Sequence, residues 1–140
     1  MNGRLVWRAL LAGTGFNIAV SLLMSFGSTA LFNMVDPAQF ALLSFALRIV
    51  SALADIGGGA IAGYIARDDG PIHGALTSLI ATLAVTPVAL LRLWQIKRAG
   101  GEYTLGAAYW IDFGLWTLVG LFLAAMAGFI AVELRKPRTH

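Results

Sequence analysis

Between Phe40 and Ala66 the chain reads F-A-L-L-S-F-A-L-R-I-V-S-A-L-A-D-I-G-G-G-A-I-A-G-Y-I-A. A bilayer's hydrocarbon core takes roughly 20 residues of apolar helix, and this stretch is long enough, yet it carries Arg48 and Asp55 well inside its ends. Seven residues separate the two charges, so they share one helical face, about 10 Å apart along the axis. Ala52, Gly59, Ala62 and Ala66 lie on that same face. A surface that is small and charged amid Leu, Ile, Val and Phe is poor against lipid and good against other helices. The remainder of the chain has to supply helices that enclose it.

Composition agrees with that demand. Of 140 residues, 59% are hydrophobic and 12% charged, where a soluble domain carries roughly 25% charge. Cysteine is absent, which removes disulfides, thiol nucleophiles and cysteine metal sites. His73 and His140 are far apart and neither belongs to a metal-binding spacing, so no metal or other cofactor is expected. The net charge of +3 comes mostly from basic residues just outside apolar runs. Anchoring to lipid headgroups explains them better than nucleic acid does.

Four spans are predicted, at about 5–32, 38–66, 71–94 and 107–134. Arg4 and Arg8 precede the first apolar run as they would in a signal peptide, but the run from Ala9 to Phe32 is about 24 residues, long enough to be retained as a helix. A cleaved leader, leaving three helices, is the lesser alternative. Asp36 before Pro37 reads as a helix cap with proline in the first turn. R-D-D-G-P, residues 67–71, is a polar turn from which Pro71 opens the third helix. Pro87 is expected to bend that helix or open one hydrogen bond, and Trp94 to mark its interface. Residues 95–106 form the only loop of any size, too short for a soluble domain.

With four spans both termini lie on one side. Arg4, Arg8, Arg67, Arg135, Lys136 and Arg138 fall on the terminal side, against Arg92, Lys97 and Arg98 on the other. The positive-inside rule then places both termini in the cytoplasm, in the cytoplasmic (inner) membrane of a prokaryote. A-I-A-G-Y-I-A at 60–66 matches A-M-A-G-F-I-A at 125–131. Both segments end even-numbered helices. The expected fold class is therefore an all-α integral membrane protein, a single domain over 1–140 of four transmembrane helices in two parallel-repeat hairpins.

The passage G-G-G-A-I-A-G-Y-I-A-R-D-D-G-P-I-H-G-A-L, residues 57–76, with the A-G-F-I-like end of the last helix, resembles the signature of the YrzE-like family of small bacterial four-helix membrane proteins of unknown function. The specific match covers about twenty residues, mostly Gly and Ala, while the layout covers nearly the whole chain. The resemblance implies the four-helix fold and supplies no activity. Arg48 and Asp112 are not part of the family's pattern.

Arg48 is the first candidate for a role. An arginine near mid-bilayer costs from about 3 to over 10 kcal/mol unless it snorkels or finds a partner. Its side chain leans toward the N-terminal end of its helix, and Asp112 enters from that side in a helix running the same way. The two are expected to pair, as a structural salt bridge first, and otherwise as an ion, substrate, subunit or lipid contact. Asp55 lies eleven residues from the end of its helix, about 16 Å in, and Asn17 is at a similar depth in the first helix. An amide-to-carboxyl hydrogen bond would meet the needs of both. A proton relay or a held cation is the alternative reading of Asp55.

Gly57, Gly58, Gly59 and Gly63 are not a phosphate loop, since no strand precedes them and no Gly-Lys-Ser/Thr follows. Gly59, Gly63, Gly120 and Gly128 are expected where helix axes approach closely. His73 is expected at the interface beside Asp68 and Asp69, free to titrate and without a catalytic role. The leading reading is a non-enzymatic accessory or stabilising subunit of a larger membrane assembly, in contact with lipids and with other subunits or copies of itself. The alternative is a small channel or transporter whose route is lined by Arg48, Asp55 and Asp112. An enzyme acting on lipid comes third, because no base, nucleophile and electrophile cluster together.

Overall fold

The computed structural model describes residues 6–98 and 106–135. Four long helices account for nearly all of them: α1 (Trp7–Met34), α2 (Phe40–Ala66), α3 (Gly70–Arg98) and α4 (Ala107–Arg135). All four are long and apolar enough to cross a membrane. At 27 to 29 residues for α1 to α4, each is about 40 Å long, longer than the roughly 30 Å of hydrocarbon in a bilayer. The ends therefore have a turn to spare on either side.

The boundaries differ from expectation in two places. Asp36 does not cap α2. Its carboxylate accepts from the Ala38 amide at 2.9 Å and stabilises a short 3-10 turn, Pro37–Gln39, after which α2 starts with no side-chain cap. α3 continues a turn past Trp94, and the Arg98 guanidinium lies 4.0 Å from the centre of the Trp94 ring. The expected loop from 95 thus begins as helix, and its residues 99–105 lie outside the described residues. α3 also runs without interruption through Pro87. The missing proline N–H costs it one backbone bond and leaves its helical assignment intact.

Between α2 and α3 only Arg67, Asp68 and Asp69 intervene, and the turn is forced. Arg67 and Asp69 take positive φ, 65° and 52°, where an L-residue is strained. His73 holds this turn, and it is buried rather than placed at an interface beside Asp68 and Asp69 as the sequence suggested. It is 2% exposed. Its Nδ1 lies 3.0 Å from the Asp69 carbonyl, and its Nε2 accepts from the Val6 amide at 2.9 Å. An amide can only donate, so Nε2 carries no proton and the proton sits on Nδ1. One imidazole thereby ties the start of α1, whose amides have no helical partner, to the α2–α3 turn.

α2 and α3 pack on each other and on both remaining helices, with α1 on one flank and α4 on the other. Among the described residues, every buried position falls within 9–17, 54–81 or 120–131, that is, at one end of the bundle. Apart from Leu10, the apolar core side chains there are small: Ala9, Ala54, Ala62, Ala66, Ala81, Ala124, Ala127 and Ala131. Glycine makes this possible. A Cβ on Gly59 or Gly74 would collide with the Ala124 backbone, and one on Gly63 or Gly70 with the Gly128 backbone. α4 is thus wedged between α2 and α3, with Ala124 and Gly128 each held between a glycine of α2 and a glycine of α3. A Cβ on Gly13 would likewise meet the Gly58 carbonyl, at 2.5 Å, so α1 approaches α2 just as closely. Backbone approach of this kind gives close van der Waals contact between helices.

α2 and α4 run parallel and in constant register. Gly59 lies against Ala124 and Gly63 against Gly128, the same offset that aligns the matching segments 60–66 and 125–131. At the far end of that seam, the last turn of α4 supplies Arg135, which donates to the Tyr64 carbonyl and sits 4.7 Å from the centre of the Tyr64 ring. A cation on the final carbonyls of α2 complements the helix dipole.

The seam predicts a contrast between glycines. G59A should lower stability by about 1–3 kcal/mol, because backbone rather than a flexible side chain must move. G15A, where a Cβ would meet nothing within 4 Å, should leave stability unchanged or raise it by up to about 1 kcal/mol. Thermal unfolding of both variants in one mild detergent checks this; equal midpoints would mean that the seam contributes nothing.

Candidate functional site

The small-residue core ends at a polar layer. Asn17 of α1 is 4% exposed and Ser78 of α3 is 1% exposed; both face Asp55 of α2. Asn17 donates from Nδ2 to Asp55 Oδ1 at 2.7 Å, and Ser78 donates from its hydroxyl to the same oxygen at 2.6 Å. Gly120 of α4 leaves the space for the carboxyl group, since a Cβ there would stand 2.5 Å from Oδ2. Four helices therefore meet at one carboxyl group. Charge-assisted bonds of this kind are roughly twice as strong as neutral ones, and the two donors meet part of the cost of burying an acid.

The sequence reading paired Asn17 with Asp55, and the structure brings them together. It missed Ser78. Serine in a membrane helix can satisfy itself on its own preceding turn, so nothing in A-L-T-S-L marked it out except its place, four residues after Gly74 on the close-packed face. Gly120 also serves differently from its expected part: its nearest neighbours are the Asp55 carboxyl and the Ser78 hydroxyl, so it forms a notch for a side chain. Gly59, Gly63 and Gly128 do lie where backbones meet.

Arg48 and Asp112 stand beyond the polar layer, in the half of the bundle without buried residues. Nη1 and Nη2 of Arg48 donate to the two oxygens of Asp112 at 2.8 Å and 2.6 Å, a bidentate pair. The guanidinium also lies 5.2 Å from the centre of the Trp116 ring. The pair is not enclosed: the Arg48 side chain is 42% exposed and that of Asp112 is 47%. Arg48 and Asp55, which share a helical face, both border a cavity of about 60 Å³ between α2 and α4, yet they do not pair. Arg48 is engaged by Asp112, and Asp55 by two neutral donors.

A larger cavity, about 220 Å³, opens from the polar layer into the open half. Asn17, Asp55 and Ser78 border it, with the hydroxyls of Ser21, Ser51, Thr82, Thr86 and Thr117 and the rings of Phe113 and Trp116. A neighbouring groove of about 300 Å³ shares Ser21, Ser51, Val85 and Ala89 with it and extends along Ser25 and Ser28. Among the described residues no three His, Asp or Glu side chains gather as metal ligands. Arg48 and Asp112 cancel each other's charge, so Asp55 is the acid in this region to which no basic side chain is paired. What the arrangement offers chemically is an acceptor-rich hollow with a carboxyl group at its base. No known protein family, curated protein or solved structure matches the chain.

A double-mutant cycle measures the outer pair. R48A and D112A should each destabilise the protein, and the double variant should cost less than their sum by about 0.5–1.5 kcal/mol, the range for real contacts within membranes. Chemical or thermal unfolding of the four proteins in one detergent reads the coupling. Strict additivity would show the ion pair to be energetically idle.

Proposed function

We propose that the chain is a multi-pass membrane protein without catalytic chemistry, acting as an accessory or stabilising subunit within a larger membrane assembly. The observation that carries this reading is the Arg48–Asp112 pair, bidentate yet 42% and 47% exposed. Arg48 lies eight residues into α2, about 12 Å from its end, a depth at which a bare ion pair facing hydrocarbon is costly. A neighbouring subunit or a second copy covering this face would remove that cost. The serine-bordered groove on the same half supports the same reading, because small and hydroxylated residues are what membrane helices use to receive a partner. Large apolar side chains elsewhere, such as Leu23, Leu42, Leu115 and Leu134, are more than half exposed and suit lipid.

A channel or transporter is the second reading, favoured by the cavity that reaches Asp55. Under it Arg48 and Asp112 would border a water-filled route and Asp55 would sit at its narrow end. Both readings take the membrane to be the cytoplasmic membrane of a prokaryote, with the two termini inside. The offset common to the α2–α4 contacts and to the two similar heptapeptides supports an origin as two parallel hairpins.

Two measurements test these statements. Cross-linking in native membranes, followed by size analysis in a mild detergent, should find the chain in a complex larger than one copy, and R48L/D112L should deplete that complex by at least half while the folded monomer survives. A parent protein that is monomeric in membranes would overturn the subunit reading, and ion or solute flux from liposomes holding only this chain would favour transport. For topology, a reporter active only in the cytoplasm should be active when fused to His140 and silent when inserted after Ala99. The reverse pattern would invert the protein.

A further inference from the structure

The hydroxyl groups around the larger cavity have a common polarity. Ser78 donates its proton to Asp55 Oδ1 at 2.6 Å, and Ser21 to Asn17 Oδ1 at 3.3 Å. Thr86 donates to the Thr82 carbonyl at 2.7 Å, and Thr117 to the Phe113 carbonyl at 2.8 Å. Four of the six hydroxyls bordering the cavity have thus given their protons to the protein, and what they keep are lone pairs. One N–H of the Asn17 amide is likewise used on Asp55. Both bonds to Asp55 end on Oδ1, and among the described residues no side-chain donor is recorded for Oδ2, which lies in the notch left by Gly120. The hollow therefore offers several lone pairs and the Asp55 carboxyl group, and no Lys, Arg or His borders it. Water fills such a place adequately, but a cation that brings several N–H groups matches it better.

Size and wall chemistry narrow the class. At about 220 Å³ the cavity is below the range for drug-sized ligands, roughly 300–1,000 Å³, and suits a group of a few heavy atoms. Ala81, Val85, Ala89, Phe113 and Trp116 make much of the wall carbon. A bare metal ion, which needs about six oxygens closed around it, would lie against hydrocarbon on those sides. A short alkyl chain fills them, and an aromatic ring beside an ammonium adds attraction through its π face.

We infer that this cavity is a binding site for a small primary alkylammonium ion, its ammonium group held at the Asp55 carboxyl group and the surrounding hydroxyl lone pairs, and its carbons against Phe113, Val85 and Ala89. The site stands on the cavity's own residues and does not depend on the accessory-subunit reading.

The test is a titration of the purified full-length protein in detergent, followed by calorimetry and by thermal midpoint. Methylammonium or ethylammonium chloride should bind saturably and raise the midpoint. Sodium and tetramethylammonium chloride at matched ionic strength should not, the first because it lacks a carbon body and N–H donors, the second because it has no N–H at all. D55N keeps an acceptor for Asn17 and Ser78 and removes the charge; it should weaken ethylammonium at least about tenfold, the scale of one lost charge-assisted bond. V85W fills the cavity while leaving Asp55 and both its donors in place, and should abolish binding, so the site remains testable if D55N folds poorly. Equal binding of tetramethylammonium, an equal response to sodium, undiminished affinity in V85W, or no saturable binding of either amine by the parent protein would each overturn the assignment.

Discussion

Backbone-to-backbone contact along one seam is the interaction on which the rest of this structure depends. Ala124 and Gly128 of α4 sit where a Cβ on Gly59, Gly63, Gly70 or Gly74 would have to be, so α4 can lie between α2 and α3 only because those four positions lack one. Lipid chains are as apolar as leucine, and helices in a bilayer gain little by hiding apolar area from one another. They gain by fitting closely. Most of the buried residues are alanines and glycines, joined by Leu10 and a few polar side chains, while most of the large leucines and phenylalanines are exposed, the reverse of a water-soluble bundle.

From that seam the position of the carboxyl group follows. Asp55 is one turn above Gly59 on α2, and Gly120 one turn above Ala124 on α4, so the parallel register that joins the glycines also brings Gly120 opposite Asp55. The same closeness brings in Asn17 and Ser78 from α1 and α3. An acid there is held by polar groups from two other helices, and the layer it forms is the boundary between a closed half and an open one. His73 fixes the other end of the closed half by joining the first helix to the α2–α3 turn. Its burial with both nitrogens engaged shows that a histidine next to a charged turn can be structural.

Several features were legible in the residues because they depend on local pattern. Helix number and approximate ends follow from the length of the apolar runs and the charged or proline-bearing breaks between them. The pairing of Arg48 with Asp112 follows from the cost of an unpaired charge in hydrocarbon and from the parallel direction of α2 and α4. The partnership of Asn17 and Asp55 follows from matching depth. Ser78, Gly70 and Gly74 were not legible, because serine and glycine are at home in any membrane helix and only a neighbour's position gives them a task. The part played by His73 was misread for a related reason: exposure near a turn is the usual state, and the Val6 amide that reaches Nε2 is far away in sequence.

Periodicity and composition thus determined by themselves that this chain makes four long apolar helices with short connections, and that two of them carry charges that must be answered. Each follows from spans, costs and spacings that a single helix already possesses. Tertiary structure alone decided that packing closes only one half of the bundle, that Gly120 leaves room for a side chain, and that two donors fall on one oxygen of Asp55 while the other lies in the notch at Gly120. Those outcomes turn on the rotation of each helix about its axis and on approach distances of a few tenths of an ångström. No single helix contains that information.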